Sequence, residues 1–172
     1  MITANDETRS VFVTGIKNAH AMEKQALSIM KPQAKRIESY PDMKDRIEQH
    51  IAETEGQIER LETILDEIDE SHSGFKDTVL SVGGTMAALS HSAAGDEVLK
   101  DTFANYAFEH YEIAAYKSLL ELSRELGGNG IGTLLEQNLR EEEEMAQWID
   151  DHIGAVTERY TALRNADLQA KR

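Results

Sequence analysis

Apolar residues recur at steps of three and four along four long segments of this chain, and that spacing is typical of amphipathic helices. The chain has only two prolines, and its abundance of Ala, Leu, Glu, Lys and Gln favours helix over sheet. We therefore predict an all-α protein. Its helices are expected at about 6–38, 42–70, 96–126 and 131–153, with a further helical piece after Gly154 to about residue 164.

Two of the connections between these helices are short and one is long. Tyr40-Pro41 separates the first two helices, and the glycines at 127–130 separate the last two. Residues 71–95 are rich in Gly, Ser and Ala, with one short helix expected at about 75–90. Two helical hairpins joined by a long crossover have the topology of a ferritin-like four-helix bundle. The length favours one domain spanning residues 1–172.

Two local features are expected to modify this bundle. Pro32 lies inside the first helical pattern, where it removes a backbone donor and crowds the preceding turn, so we expect a kink. The polar residues 162–172 are expected to fray.

The composition excludes several functions. The chain has 32 acidic and 18 basic residues, a formal charge of −14 and no dense Lys/Arg cluster, so nucleic acid is not an expected partner. It has no cysteine, so a bound metal would need oxygen and imidazole ligands. The start of the chain lacks the pattern of a signal peptide, and no stretch approaches a membrane span of roughly 20 apolar residues. We expect a cytoplasmic protein without a membrane partner.

Each predicted helix carries a polar residue near the centre of its apolar stripe: Glu23, His50, Glu109 and Glu142. Counting from the turn that each hairpin shares places the acidic residues at similar depths, roughly 17–21 Å. Glu53 and Glu112 lie three residues after His50 and Glu109, at the edge of the same face. Because burying an unpaired charge costs several kcal/mol, these six residues predict a metal site, and two ions fit them better than one.

The alternative is that these acids are solvated or are paired in the core with Arg or Lys. For any single glutamate that interpretation is the stronger one, because Glu is mostly exposed in proteins. The coincidence across four helices favours the metal site. In the run Glu141 to Glu144, we expect Glu142 to face inward and the rest to be solvated.

Two more residues lie near the candidate site. His20 precedes Glu23 by one turn and is either a neighbour of the ligands or, as we favour, a histidine on the helix surface. Tyr116 lies seven residues after Glu109, so its hydroxyl reaches a ligand carboxylate or its ring simply packs in the core.

The chain resembles the YciE/YciF-type ferritin-like proteins, and within them the YciE branch. The matching segments are NAHAMEKQA at 18–26, IEQHIAETEGQIERLETIL at 47–65, YAFEHYEIAAYKSLL at 106–120 and LREEEEMAQWI at 139–149. The resemblance implies a ferritin-like bundle with a di-iron centre. We expect two iron ions, with manganese or zinc as possible substitutes. The resemblance also implies a homodimer linked to bacterial stress, without a settled reaction.

The fourth helix also resembles a bacterioferritin pattern, which gives Glu142 the role of a bridging ligand. Met145 then occupies the position of a bacterioferritin histidine. In the second helix, His50 occupies the position of a bacterioferritin glutamate, and Glu53 that of a histidine. A thioether is a poor ligand for iron in an oxygen-rich site, so full ferroxidase activity is not expected unless Glu112 compensates.

These observations favour a protein that binds Fe(II) and reacts with oxygen or peroxide, as a stress-associated di-iron oxidase or peroxidase-like protein. Iron storage in a cage is less well supported, since the resemblance indicates dimers. The alternative is a helical homodimeric interaction or structural protein whose site is empty or holds a structural ion.

Overall fold

The computed structural model describes residues 4–68, 95–127 and 129–172 and contains four helices in those ranges. These are α1 (Ala4–Arg36), α2 (Pro41–Glu67), α3 (Glu97–Glu125) and α4 (Asn129–Asn165). No strand occurs in the described residues, so the all-α prediction is confirmed. The expected crossover and its short helix at 75–90 lie outside the described residues, apart from Gly95 at the crossover's end.

The helices pack as two hairpins laid against each other. Within the hairpins α1 packs on α2 and α3 packs on α4; between them α1 packs on α3 and α2 on α4. Each helix therefore buries a wide face against two neighbours. Apolar side chains from all four helices form one core along the bundle, including Phe12, Ile16, Leu61, Tyr116, Leu135 and Ile149. No helix in the described ranges is long and apolar enough to cross a membrane.

Local backbone chemistry sets the turns at both hairpins. Pro41 is the first residue of α2, where a proline loses no helical hydrogen bond. Gly127 follows α3 with φ of 73°, a left-handed conformation that favours glycine. The α1 helix continues through Pro32 as far as Arg36.

The fourth helix is longer than the sequence predicts. It runs through Gly154 to Asn165 without a break, whereas the sequence suggested an end at residue 153 and a separate piece beyond. A glycine inside a helix costs only about 1 kcal/mol. Val156 is buried, and Tyr160 and Leu163 pack against the core, so apolar contacts beyond the glycine outweigh that cost.

The C-terminal residues are ordered against the end of the bundle, so the expected fraying is wrong. Ala170 is only 2% exposed, and its carbonyl oxygen accepts a hydrogen bond of 2.7 Å from the Tyr40 hydroxyl. The Val98 backbone N–H donates to the Lys171 carbonyl over 2.9 Å. The Lys171 ammonium lies 3.3 Å from the Glu97 carboxylate. These contacts involve residues distant in sequence, which local composition does not reveal.

Candidate metal centre

Polar side chains from all four helices meet in the interior of the bundle. Glu23 comes from α1, His50 and Glu53 from α2, Glu109 and Glu112 from α3, and Glu142 from α4. Five of them are no more than 3% exposed; Glu53, at 17% side-chain exposure, lies at the edge. The apolar stripes that carry these residues face the core, so each helix brings its polar residue inward with the stripe.

His50 lies between the carboxylates of two other helices. Its Nε2 atom is 3.3 Å from Glu109 Oε2 and 3.3 Å from Glu142 Oε2. Potential ligand atoms of these three residues all lie within 4.8 Å of one another, so the group could hold a metal ion. It is the only such group of three or more residues within the described ranges. The triad therefore forms the centre of the candidate site.

Glu53 contacts the opposite nitrogen of the same imidazole. Its Oε2 atom is 2.8 Å from His50 Nδ1 and accepts a hydrogen bond of 3.0 Å from Arg46, while Oε1 accepts one of 2.7 Å from Gln49. Burial raises the pKa of Glu53, but the hydrogen bonds from His50 and Arg46 outweigh it and lower the pKa to about 2. An ionised Glu53 holds the His50 proton on Nδ1, which leaves Nε2 for a metal.

Glu23 is held by a tyrosine on the facing helix. The Tyr116 hydroxyl donates a hydrogen bond of 2.5 Å to Glu23 Oε1 and accepts one of 3.0 Å from Asn138 Nδ2. Burial, and then the negative charge of Glu142, raise the pKa of Glu23 well above its usual value, although the Tyr116 hydrogen bond lowers it. Tyr116 thus fixes one oxygen of Glu23 and leaves the other facing the cluster.

The buried carboxylates have oxygen atoms without hydrogen bonds. In the described residues, no side chain or backbone group completes a hydrogen bond to Glu23 Oε2, Glu109 Oε2, Glu112 Oε1 or either oxygen of Glu142. His50 Nε2 lies 3.3 Å from two of them, Glu109 Oε2 and Glu142 Oε2, as an ion-pair contact. Buried polar atoms normally have partners, so this cluster of unpaired oxygens fits a bound cation.

The raised pKa values of buried glutamates in the cluster also fit a bound cation. Burial raises the pKa of Glu142 to about 7, with the charge of Glu109 adding to the effect and His50 opposing it. Burial, and then the charges of Glu23 and Glu142, raise the pKa of Glu112 well above its usual value. No lysine or arginine contacts these carboxylates in the described residues; only Glu53 has the Arg partner that the alternative interpretation requires.

Met145 and His20 are both buried. Met145 is 1% exposed and packs in the apolar core, where it lines a small cavity with Ile47 and Ile149. His20 is also 1% exposed, so the expected surface position is wrong; its Nε2 atom is 2.9 Å from Glu62 Oε1. The helix α1 packs against both α2 and α3, and this wide contact buries position 20.

Sequence reasoning missed three polar residues that surround the site. Arg46 is 8% exposed and pairs with Glu53, while Gln57 and Asn138 are fully buried. Their spacing was the available signal, because Arg46 and Gln57 lie four before and seven after His50, and Asn138 lies four before Glu142. A search for polar residues one or two turns from each candidate ligand would have found them.

Comparison with known proteins agrees with this architecture. A family model described as a domain of unknown function, DUF892, matches residues 7–162. The chain belongs to the DUF892 family. Protein YciF of Escherichia coli strain K12 is 31% identical over 143 residues, covering 77% of this chain and 81% of YciF. This confirms the YciF-type family assigned by resemblance; the YciE branch stays a prediction.

Solved structures share the fold. A crystal structure of a protein from Xanthomonas campestris pv. campestris superposes with a TM-score of 0.77 at 32% identity, covering 92% of this chain and 99% of that one. The crystal structure of the Escherichia coli stress protein YciF gives a TM-score of 0.75 at 24% identity, covering 89% of this chain and 96% of that one. The helical bundle is therefore common to this chain and these two proteins.

The metal-free DUF892 protein is expected to lose stability as the pH rises. The folded state raises the pKa of Glu23, Glu112 and Glu142, the last to about 7, and also that of His50, where the nearby carboxylates outweigh burial. Their stabilising contribution is complete below the unfolded pKa values and is lost as the pH rises through the folded ones. Glu53, with a lowered pKa, acts only at the acidic end, where its contribution is lost as the pH falls towards about 2.

Thermal unfolding of chelator-treated protein between about pH 5.5 and 8.5 measures this effect. We expect the Tm to fall across that range, and Glu142→Gln to flatten the fall because its amide does not ionise. A wild-type Tm that rises with pH, or an equal slope in Glu142→Gln, would contradict this assignment.

Proposed function

We propose that this protein is a non-haem di-metal carboxylate protein that binds Fe(II) and oxidises it with oxygen or peroxide. The observation that carries the proposal is the buried cluster of unpaired carboxylate oxygens around His50 Nε2. When ionised, the four buried glutamates carry four negative charges, which two divalent cations would balance. Oxygen and imidazole donors suit iron, and also manganese or zinc.

Each residue has a distinct proposed role. His50 Nε2, Glu109 and Glu142 would form the first metal position, since their ligand atoms already converge. Glu23 and Glu112 would complete a second metal position beside Glu142. The negative charge of Glu142 raises the pKa of both residues, as expected for carboxylates in one cluster. Glu53, the sixth predicted ligand, orients the imidazole in the metal-free protein; its direct ligation stays a prediction. Bound Fe(II) would supply the two electrons that reduce oxygen or peroxide.

Residues around the site would hold the ligand side chains in place and keep water away from them. Tyr116 fixes the position of Glu23, and Glu53 fixes the tautomer of His50. The apolar side chains packed around the cluster, including Met145, limit water near the site. Such fixed ligands would lower the reorganisation needed when iron changes its oxidation state.

Stopped-flow absorbance tests the activity directly. Protein loaded anaerobically with Fe(II) is mixed with oxygen or with hydrogen peroxide, and formation of ferric iron is followed. We expect oxidation to be at least about tenfold faster than for free Fe(II) in the same buffer, and Glu142→Ala to lose that acceleration. Equal rates with and without protein would refute the redox proposal.

A metal-binding or empty site in an interaction protein is the second candidate. Met145 favours it, because a buried thioether stands where the bacterioferritin pattern has a histidine. Under this candidate, the protein would bind a non-redox ion or none and would not accelerate iron oxidation.

The Met145 position yields a separate prediction. A site rich in carboxylate should favour ferric over ferrous iron, so Met145→His should strengthen Fe(II) binding by about tenfold. Anaerobic Fe(II) titrations of both proteins measure the change, with Met145→Leu as the control for altered packing. An unchanged Fe(II) affinity in Met145→His would contradict this explanation of the site's preference for ferric iron.

We also propose, from the family resemblance, that the protein is a cytoplasmic homodimer. Sedimentation equilibrium of the purified chain tests the oligomeric state: a dimer mass is expected, and a monomer at all concentrations would contradict it.

A further inference from the structure

A cavity of about 170 Å³ lies between α1 and α3 and reaches the candidate metal centre. Glu109, only 3% exposed, forms part of its wall. The exposed residues Ser28 and Pro32 also line it, so the cavity opens towards solvent on that side. It therefore connects the protein surface with one of the proposed ligands.

Pro32 interrupts the helical hydrogen bonding of α1 beside the cavity. A proline inside a helix cannot donate the hydrogen bond that residue 32 would make to the Ser28 carbonyl. Ser28 and Pro32 both line the cavity, so the position of this missing hydrogen bond lies beside the cavity.

The cavity has an apolar wall and neutral polar groups. Met30, Ala104 and Phe108 supply the apolar surface. Asn105 Nδ2 donates a hydrogen bond of 3.1 Å to Gln33 Oε1, which leaves the Gln33 amide N–H groups and the Asn105 carbonyl oxygen for a bound molecule. This pattern fits a small organic molecule with one hydrogen-bonding group.

The charges along the cavity disfavour an anion. The Arg36 guanidinium is the one cation in the wall, and it lies 2.7 Å from Glu97 Oε1 and 3.6 Å from Asp101 Oδ2. Asp101 and Glu109 also line the cavity, so the wall carries no net positive charge. An uncharged molecule is therefore the better occupant.

The volume exceeds what oxygen or hydrogen peroxide needs. One water occupies about 30 Å³ of liquid, and an apolar cavity of about 150 Å³ accepts benzene. A cavity of about 170 Å³ therefore has room for a single ring or a short branched chain.

We propose that this cavity binds an organic hydroperoxide, with its hydrocarbon part against Met30, Ala104 and Phe108 and its peroxide group towards Glu109. The inference rests on the proposed Fe(II) oxidation and identifies the oxidant. In the reaction the O–O bond breaks: two Fe(II) ions each give one electron, and two protons come from solvent. The products are two Fe(III) ions, one alcohol and one water.

Binding is tested on metal-free protein with cumyl alcohol, the unreactive product of cumene hydroperoxide. Isothermal titration calorimetry should show saturable binding to wild type that Ala104→Phe weakens by at least about tenfold, because the new ring fills the cavity. Ala107→Phe is the matched control, since Ala107 is an exposed alanine on the same helix. If Ala104→Phe does not fold by circular dichroism, Ser28→Phe at the exposed rim replaces it.

The same variants then test the oxidant. In Fe(II)-loaded protein, Ala104→Phe should lower the ratio of the cumene hydroperoxide rate to the hydrogen peroxide rate by at least about tenfold, whereas Ala107→Phe should not change it. An unchanged ratio in Ala104→Phe, or absence of saturable alcohol binding, would overturn this inference and leave the proposed iron oxidation standing. Alcohol binding without Fe(II) binding would overturn both.

Discussion

Metal-free Glu142→Leu is expected to be more stable than metal-free wild type, by on the order of 1–4 kcal/mol. Glu142 is fully buried, and His50 Nε2 lies 3.3 Å from its Oε2 atom. Neither of its oxygens completes a hydrogen bond within the described part of the chain, and three other buried carboxylates lie in the same cluster. Leucine has a similar size and removes the cost of burying that group. Urea unfolding of chelator-treated protein at neutral pH measures the difference.

The adjacent residue Glu143, which lies on the exposed face of the same helix, provides the control. Glu143 is half exposed and pairs with Lys117, so Glu143→Leu removes only a surface ion pair and should change stability by less than about 0.5 kcal/mol. Destabilisation by Glu142→Leu would show that Glu142 contributes to folding in the metal-free state and would contradict the electrostatic account of the cluster.

With Fe(II) bound, wild type is expected to become more stable than Glu142→Leu. A ligand that binds only the folded state at a hundredfold its Kd stabilises by about 2.7 kcal/mol per site. For a chain of 172 residues this corresponds to a rise in Tm of about 5–10 °C for each bound ion, so two ions together outweigh the stability that Glu142→Leu gains. Anaerobic calorimetry with and without Fe(II) measures the rise in wild type, and Glu142→Leu should lose most of it.

This second experiment separates the two candidate functions. An empty site in an interaction protein also predicts stabilisation by Glu142→Leu, but it predicts no effect of Fe(II) on wild type. Glu143→Leu should retain the full Fe(II) response. A wild-type Tm that does not respond to Fe(II) would favour the interaction protein.

The fold was predictable because its signals are local and repeated. Apolar steps of three and four along each segment indicate helix, and the long interval after residue 70 favours the ferritin-like order of helices. The same periodicity showed that Glu23, His50, Glu109 and Glu142 interrupt buried stripes, and the structure places all four in the interior. A charge at a core position is conspicuous because its burial is costly.

Features that depend on contacts between distant residues were not predictable in this way. The α4 helix passes Gly154 because Val156 and Leu163 find apolar contacts on other helices. The terminal residues dock because Tyr40 and Val98 provide hydrogen-bonding partners at the bundle end. Helical spacing indicates which face a residue occupies, whereas these pairings depend on how the helices meet.

The different roles of His50 and Glu53 were also not predictable from helical spacing. Spacing placed both on one face of α2, but it did not show that Glu53 would lie at the edge with Arg46 and contact the imidazole. That arrangement turns Nε2 towards Glu109 and Glu142.

Anaerobic titration of the metal-free protein with Fe(II), followed by metal analysis after desalting, tests the central claim most directly. We expect close to two iron ions per chain in wild type and in Glu143→Leu, and a loss of at least one ion in Glu142→Ala. Retention of no transition metal by the wild-type protein, or an identical iron content in Glu142→Ala, would contradict it.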